Sequence, residues 1–304
     1  DQMHVIVVMA PSGALVNRVL IENAVSAVQG QVVEAHRVAV PVSLADHREV
    51  VKFLIDCPDP EKLSAQLRQL SDEHGADIAL QSRLSRCRPY GLAVFDMDST
   101  LISCEVIDEL ARVAGVGAEV AEITDRAMRG ELDFDESFRT RLALLEGLDA
   151  GAVDELADQL PVQSGLSEMA TTLKARGLKL AIFSGGFIPI AERLKSDYGF
   201  DHVVANELEI RGGKVTGKVV PPIVNREYKA EALGALASRL GIHTEHCIAV
   251  GDGANDLSMM ALAGLGVAFH AKPAVRAASP IEITHIGLDG VCYLMGHEGE
   301  FAAA

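Results

Sequence analysis

The sequence predicts an α/β protein: a parallel sheet with helices on both faces, a helical insertion after its first strand, and a small α+β unit ahead of it. Three observations lead there. From residue 92 onward, short apolar runs alternate with segments of helical length, the order that builds parallel sheets. Residues 105–160 interrupt that alternation with an almost wholly helical pattern. Residues 1–84 carry a strand and helix order of their own. At 304 residues the chain can hold two domains and a sizeable core, and its 49% hydrophobic and 23% charged composition lies in the globular range.

In the first unit, residues 4–10 read as a strand closed by Pro11-Ser12-Gly13. Apolar residues then recur at Val16, Val19, Leu20, Ala24, Ala27 and Val28, the stripe of an amphipathic helix, with Gly30 as its stop. Residues 31–40 and 48–56 read as extended. Asp59-Pro60-Glu61 opens a second helix with Pro suited to the first turn, and Leu63, Leu67 and Leu70 line its inner face. A strand over 77–84 completes β-α-β-β-α-β, the ferredoxin-like split unit. By that pattern the segment resembles a small regulatory ACT-like domain, a resemblance that implies amino-acid binding or dimerisation and leaves a purely structural role open. Residues 85–91, with three basic residues, a Pro and a Gly, read as a linker.

The second unit, 92–304, starts with Leu92-Ala-Val-Phe95, a short apolar run bounded by turn residues that suits a buried parallel strand. Breaks at Gly115-Val116-Gly117, Gly130 and Gly147 divide the helical stretch that follows, which sits where a cap over the strand end would lie. Strands at 178–183, 202–205, 247–250 and 265–268 then alternate with helices at 188–197, 227–240 and 255–263. Between two β-like stretches, Arg211-Gly212-Gly213-Lys214 marks a hairpin inserted within 207–220.

Element ends carry the chemistry. The strand at 92–95 delivers Asp96 and, after one spacer, Asp98, where open α/β sheets bind ligands. One carboxylate there can attack phosphorus and the other can pass protons. After the strand at 179–183 comes Ser184-Gly185-Gly186, a hydroxyl and two glycines that let backbone amides approach an anion. Gly251-Asp252-Gly253-Ala254-Asn255-Asp256 follows another strand and offers oxygen ligands to a hard cation such as Mg²⁺. Lys229, early in its helix, can meet a phosphoryl oxygen as a point charge. Each feature alone is weak, because acidic pairs, Gly turns and surface lysines are common.

Asp-x-Asp-x-Thr, then Ser, then Lys, then Gly-Asp-Gly-x-Asn-Asp, in this order and each at an element end, resembles the four motifs of the haloacid-dehalogenase superfamily over about residues 92–290. The resemblance implies a Rossmann-like core and a Mg²⁺-dependent phosphotransfer enzyme. In it Asp96 is the nucleophile that forms an aspartyl-phosphate, and Asp98 the acid and base. Asp96, the main-chain carbonyl of Asp98, and Asp252 would hold the metal; Ser184, Gly185, Lys229 and Asn255 would hold the phosphate. The likeness tightens to the phosphoserine phosphatase family. Asp96-Met97-Asp98-Ser99-Thr100 has Ser where the superfamily commonly has Gly, and Glu105, Ile107, Asp108 and Glu109 continue that family's first motif. Thr124, Ala127-Met128, Gly130, Phe134, Ser137, Arg141, Leu144-Leu145 and Gly147 match its cap signature. By this resemblance Glu105 pairs with the substrate ammonium, Arg141 forks onto its carboxylate, and Met128 and Phe134 wall the pocket. O-phosphoserine is the implied substrate, hydrolysed in the last step of serine formation. The sequence leaves open a related phosphotransferase acting on another hydroxyl, a phosphatase for other small phosphate esters, and an amino-acid sensor built on residues 1–84.

Bulk properties narrow the partners. A formal net charge of −16 argues against nucleic acid and anionic membranes. No apolar run approaches the roughly 18–20 residues of a membrane span, and no basic-then-apolar leader pattern opens the sequence. Cys57, Cys87, Cys104, Cys247 and Cys292 are scattered without C-x-x-C pairing, which predicts reduced thiols and a cytoplasmic protein. The split N-terminal unit suggests a homodimer formed through it.

Overall fold

The structure is a computed structural model that describes residues 3–14, 16–129 and 131–301, with Met128 described by its backbone alone. Gly130, one of the expected helix breaks, lies outside the described residues.

The N-terminal unit runs β1 (Met3–Pro11), α1 (Arg18–Ala27), β2 (Gln31–Arg37), β3 (Arg48–Asp56), α2 (Pro60–His74) and β4 (Asp77–Ser82). Its antiparallel sheet has the order β2-β3-β1-β4 among the described residues, the split order the sequence predicts. Alternation along β1 sends Ile6 and Val8 towards Ile21, Val25, Leu63 and Leu67 of the two helices. Val5, Val7 and Met9 point the other way and join the core of the rest of the chain. Asp59 caps α2 by accepting from Lys62 N at 3.2 Å, and Gly75 ends it in the left-handed conformation. Three details depart from expectation. Val19 is 59% exposed, because the inner face of α1 is set by Ile21, Ala24 and Val25. The left-handed residue after α1 is Gln29, at φ 63°; at Gly30 a Cβ would instead press on the carbonyl of Asp56 at 2.7 Å. The last strand stops at Ser82, whose Oγ accepts from Ser85 N at 3.1 Å and caps the short helix α3 (Arg83–Arg86).

Then follow β5 (Leu92–Phe95), α4 (Val106–Val113), α5 (Gly117–Met128), α6 (Phe134–Ala143), α7 (Gly151–Asp158), α8 (Leu166–Ala175), β6 (Lys179–Phe187), α9 (Ile188–Tyr198) and the hairpin strands β7 (His202–Arg211) and β8 (Lys214–Val220). The chain continues through α10 (Arg226–Leu240), β9 (Cys247–Gly251), α11 (Leu257–Leu262), β10 (Leu265–Phe269), α12 (Pro273–Ala278), β11 (Glu282–Ile283) and α13 (Gly290–Tyr293). Among the described residues the sheet order is β11-β10-β9-β5-β6-β7-β8, with every pair parallel except the β7–β8 hairpin. β5 is central and fully buried. Leu92 and Val94 pack towards α10 and α11, while Ala93 and Phe95 join the opposite layer with Met169 and Leu173 of α8. This two-sided burial is why the strand reads as a continuous apolar run. Among the described residues, no helix is long and apolar enough to cross a membrane.

The two units are fastened by polar contacts. Asp77, 1% exposed, accepts the backbone amides of Thr284, His285 and Ile286 at 2.7–2.9 Å. Arg48 pairs with Asp289 at 3.1 Å, and Arg68 donates to the carbonyls of Arg276 and Ser279. Arg86, 2% exposed, forks onto Glu300 at 2.8 and 3.0 Å, and Lys52 reaches the same carboxylate at 3.2 Å.

Candidate active site

Because β5 lies between β9 and β6, the residues that leave their carboxyl ends converge. Asp96 follows β5, Asp252 follows β9, and Ser184 lies within the extended end of β6. Asp96 is anchored by its amide to the Val250 carbonyl at 2.9 Å. Its Oδ1 accepts from Met97 N at 2.8 Å and from Lys229 Nζ at 3.1 Å.

Lys229 is fully buried beneath this floor, and its ammonium also donates to Asp256 Oδ1 at 2.8 Å. Burial opposes its charge, but Asp256 and then Asp96 outweigh burial and hold its pKa above the ordinary lysine value. Asp256 also takes the amides of Asp252 and Gly253 on Oδ2, each at 3.1 Å, and so fixes the turn that presents Asp252. Asp252 accepts from Thr100 Oγ1 at 3.2 Å and from Lys272 Nζ at 2.7 Å. Burial, with Asp256 next, pushes the Asp96 carboxyl well above its ordinary range, against the pull of Lys229. Crowded, desolvated carboxylates of this kind suit a hard divalent cation. Ligand oxygens of Asp96, Asp252 and Asp256, all buried, lie within 4.8 Å of one another, so the donor set fits one.

Asp98 stands apart from that cluster. Its Oδ2 accepts from Val106 N at 3.2 Å, and its buried Oδ1 has no hydrogen-bond partner among the described residues. Burial first, and then the Glu105 carboxylate, raise its pKa well above the ordinary value. Burial that favours the neutral carboxyl, beside a second carboxyl, suits Asp98 to proton donation. Ser99 adopts φ 59°, a left-handed backbone that costs an L-residue about 1–2 kcal/mol and suits Gly. Its Oγ donates to Glu105 Oε1 at 3.0 Å, which ties the Asp98 turn to the start of α4.

Above lies a cavity of about 600 Å³. Asp96, Asp98, Glu105, Gly185, Asp252 and Asn255 line it from below, and Thr124, Phe134, Ser137 and Arg141 from the cap. A Cβ on Gly185 would lie 3.7–3.9 Å from the Val224 carbonyl, the Phe134 ring and Asn255 Nδ2, so these groups converge on one point. Phe134 stacks on Phe138 at 6.5 Å between ring centres. Among the described residues Arg141 has no ion pair; its Nε donates to Ser137 O of its own helix at 3.3 Å. Burial pulls its pKa below the ordinary arginine value, opposed by Asp108 and then Glu105. Cap and core also meet where Asn225 Nδ2, at the start of α10, donates to the Asp135 carboxylate of α6 at 3.2 and 3.3 Å.

The residues expected from sequence therefore gather at one site, with two qualifications. Ser184 and Lys229 are fully buried behind the cavity wall, Ser184 Oγ accepting from Gly186 N at 2.8 Å. The Met128 side chain lies outside the described residues. Asn206 was missed. It is fully buried, donates through Nδ2 to Gly185 O and accepts from Val224 N, both at 2.8 Å, and so sets the spacing of two loops at the site. An amide directly after the apolar run at 203–205 was its one signal. Lys272 and the bracing role of Asp256 were missed too: Lys272 meets Asp252 only through the fold, and Asp256 bonds the nearby amides of Asp252 and Gly253 in a turn that the residue pattern alone does not specify.

A family model for haloacid dehalogenase-like hydrolases matches residues 90–264. The chain is 45% identical over 243 residues to the phosphoserine phosphatase SerB2 of Mycobacterium tuberculosis, covering 80% of this chain and 59% of that protein. It is 39% identical over 253 residues to a phosphoserine phosphatase of Archaeoglobus fulgidus, covering 83% of this chain and 74% of that one. The match thus spans less than two thirds of the mycobacterial relative's length. A crystal structure of a haloacid dehalogenase family hydrolase from Salmonella enterica serovar Typhi superposes with a TM-score of 0.85 at 31% identity, covering 98% of this chain and all of that one.

Proposed function

This chain belongs to the phosphoserine phosphatase branch of the haloacid dehalogenase-like hydrolases, and from that premise we propose that it hydrolyses O-phospho-L-serine to L-serine and phosphate, completing serine formation. One observation carries the substrate assignment. Arg141, whose guanidinium makes no ion pair among the described residues, lines a cavity whose floor holds the Asp96 and Asp98 carboxyls. A planar fork of that kind matches a carboxylate bidentately. Glu105 supplies the complementary anion for the substrate ammonium, and Phe134 an apolar wall.

In the proposed reaction a carboxylate oxygen of Asp96 attacks phosphorus, forming an aspartyl-phosphate as the bond to the seryl oxygen breaks. Asp98 gives its proton to that oxygen. It then takes one from the water that attacks the phosphorus, and phosphate leaves with Asp96 restored. The Gly185 amide and Asn255, which line the cavity, hold the phosphoryl oxygens, with Ser184 behind them bracing the Gly186 amide, and Lys229 favours the ionised form of Asp96 from beneath. We assign Mg²⁺ to Asp96, Asp252 and the main-chain carbonyl of Asp98, with Asp256 bracing the turn that presents Asp252. When bound, the cation neutralises charge on the transferring group.

Phosphate release from O-phospho-L-serine, with and without Mg²⁺, tests this in wild type, Asp96→Asn and Arg141→Ala. Metal-dependent turnover that Asp96→Asn abolishes, and that loses most of its kcat/KM in Arg141→Ala, supports the proposal. Equal hydrolysis of an aryl phosphate by wild type and Arg141→Ala, with phosphoserine poorly used, refutes the substrate. Self-association through the N-terminal unit is a separate proposal, supported by the edge strand β2 with its half-exposed Val33. Light scattering over a concentration range tests it, and a constant monomer mass counts against it. The five cysteines are all free thiols, which supports a reducing, cytoplasmic setting.

A further inference from the structure

The cap helix α6 carries a polar group that the fold leaves unused. Ser137 is 2% exposed, and its Oγ has no hydrogen-bond partner among the described residues. A serine within a helix commonly turns its hydroxyl back to the carbonyl four residues earlier. Here the Asp133 carbonyl accepts the Ser137 amide at 2.9 Å, and the side chain does not join it. A buried hydroxyl left unpaired is costly, so it calls for an occupant. Ser137 lines the same cavity as Arg141. Residues four apart share a helix face, so hydroxyl and guanidinium stand one turn apart on the cap wall.

We infer that Ser137 is a specificity-determining residue, whose hydroxyl donates to the α-carboxylate of the bound phospho-amino acid while Arg141 grips that carboxylate from the next turn. The inference rests on the phosphoserine reading above. An arginine fork uses one lone pair on each carboxylate oxygen and leaves others open. A neutral donor on the same helix face fills one without adding charge. Together the two groups reject an ester that lacks the carboxylate: the arginine loses its counter-ion, and the serine loses the acceptor for a buried donor.

The test measures kcat/KM for O-phospho-L-serine, ethanolamine phosphate and p-nitrophenyl phosphate in wild type, Ser137→Ala and Ser137→Thr, with the thermal midpoint of each free protein. Ethanolamine phosphate keeps the ammonium and lacks the carboxylate. In Ser137→Ala the preference for phosphoserine over both other esters should fall roughly 10- to 100-fold, as for a lost hydrogen bond to a charged group. Ser137→Thr should restore most of it. The thermal midpoint of Ser137→Ala should equal or exceed wild type, because an orphaned donor has been removed. An unchanged preference, a parallel loss on all three esters, or a lowered midpoint with such a loss would overturn the assignment. A selective loss on both amine esters would move the contact to the ammonium and overturn it as well. If wild type itself hydrolyses the aryl ester and ignores phosphoserine, the substrate reading falls and this inference falls with it.

Discussion

Replacing Lys229 by methionine keeps much of the side chain's length and removes its charge, so the variant isolates what one buried ammonium does for two buried carboxylates. Lys229 Nζ lies 2.8 Å from Asp256 and 3.1 Å from Asp96, with the lysine fully buried. Removing one partner of a buried ion pair costs about 3–5 kcal/mol, because the other charge stays desolvated. At about 2–4 °C per kcal/mol for a domain of this size, the midpoint should drop by roughly 6–20 °C. The deficit should depend on pH. Burial and Asp256 already raise the Asp96 pKa, with Lys229 the main opposing influence, so its loss raises that pKa further. A carboxyl whose folded pKa exceeds its unfolded value binds more protons when folded, and stability falls as pH rises above the unfolded value of about 3.9. Thermal unfolding of both proteins in chelator, at about pH 5 and about pH 8, should therefore show the larger deficit at the higher pH. An equal deficit at both values, or none, would refute the buried-pair reasoning.

Three further outcomes are expected. Asp135→Ala removes the carboxylate that Asn225 holds across the cap–core gap; KM should rise by up to roughly 10- to 100-fold for a bond worth about 1.5–3 kcal/mol, and an unchanged KM would remove that contact from closure. Asn206→Asp sets an oxygen against the Gly185 carbonyl, so activity relative to wild type should be low at neutral pH and recover in acid, where a protonated carboxyl can donate; a flat ratio across the pH–rate profile would sink the idea. Burial alone would raise the Glu300 pKa, and Arg86 followed by Lys52 hold it below the ordinary value. That contribution is present above the unfolded value of about 4.3 and lost as pH falls through the lower folded one, so the Glu300→Gln deficit in thermal midpoint should close in acid. A deficit constant with pH would count against the pair.

What the sequence disclosed followed from local rules. Leu92 to Phe95 read correctly because burial on both faces demands an unbroken apolar run, and Asp96 and Asp98 stood out by ending it. The split order of the N-terminal unit came from strand length, helix stripe and Pro60 at a first turn. Val19 misled because the apolar stripe of α1 has two candidate faces, and only the packing of Ile21 and Val25 on the sheet chooses between them. Helix α8 and the elements from α12 onward were not read; α12, β11 and α13 are short, and tertiary contacts such as the Asp77 carboxylate on the amides of 284–286 hold that stretch. Asn206 and Ser137 both do their work across space. The first joins loops, and the second shows only as a hydroxyl without an acceptor.

The fastening of the N-terminal sheet bears on how the protein is made. Val5, Val7 and Met9 belong to a core that also includes Val291, Leu294, Met295 and Phe301. On a ribosome adding about 5–20 residues per second, roughly 10–40 s separate residue 82 from residue 301. For that interval one side of β1 waits uncovered, and the carboxylate of Asp77 has no amides to receive. The N-terminal unit can collapse early around Ile6, Ile21 and Leu63, yet its second face is finished only from the far end of the nascent chain. A nascent chain in this condition is a natural client for chaperones that shield apolar strands, and translational stalling before residue 290 should leave it prone to aggregate.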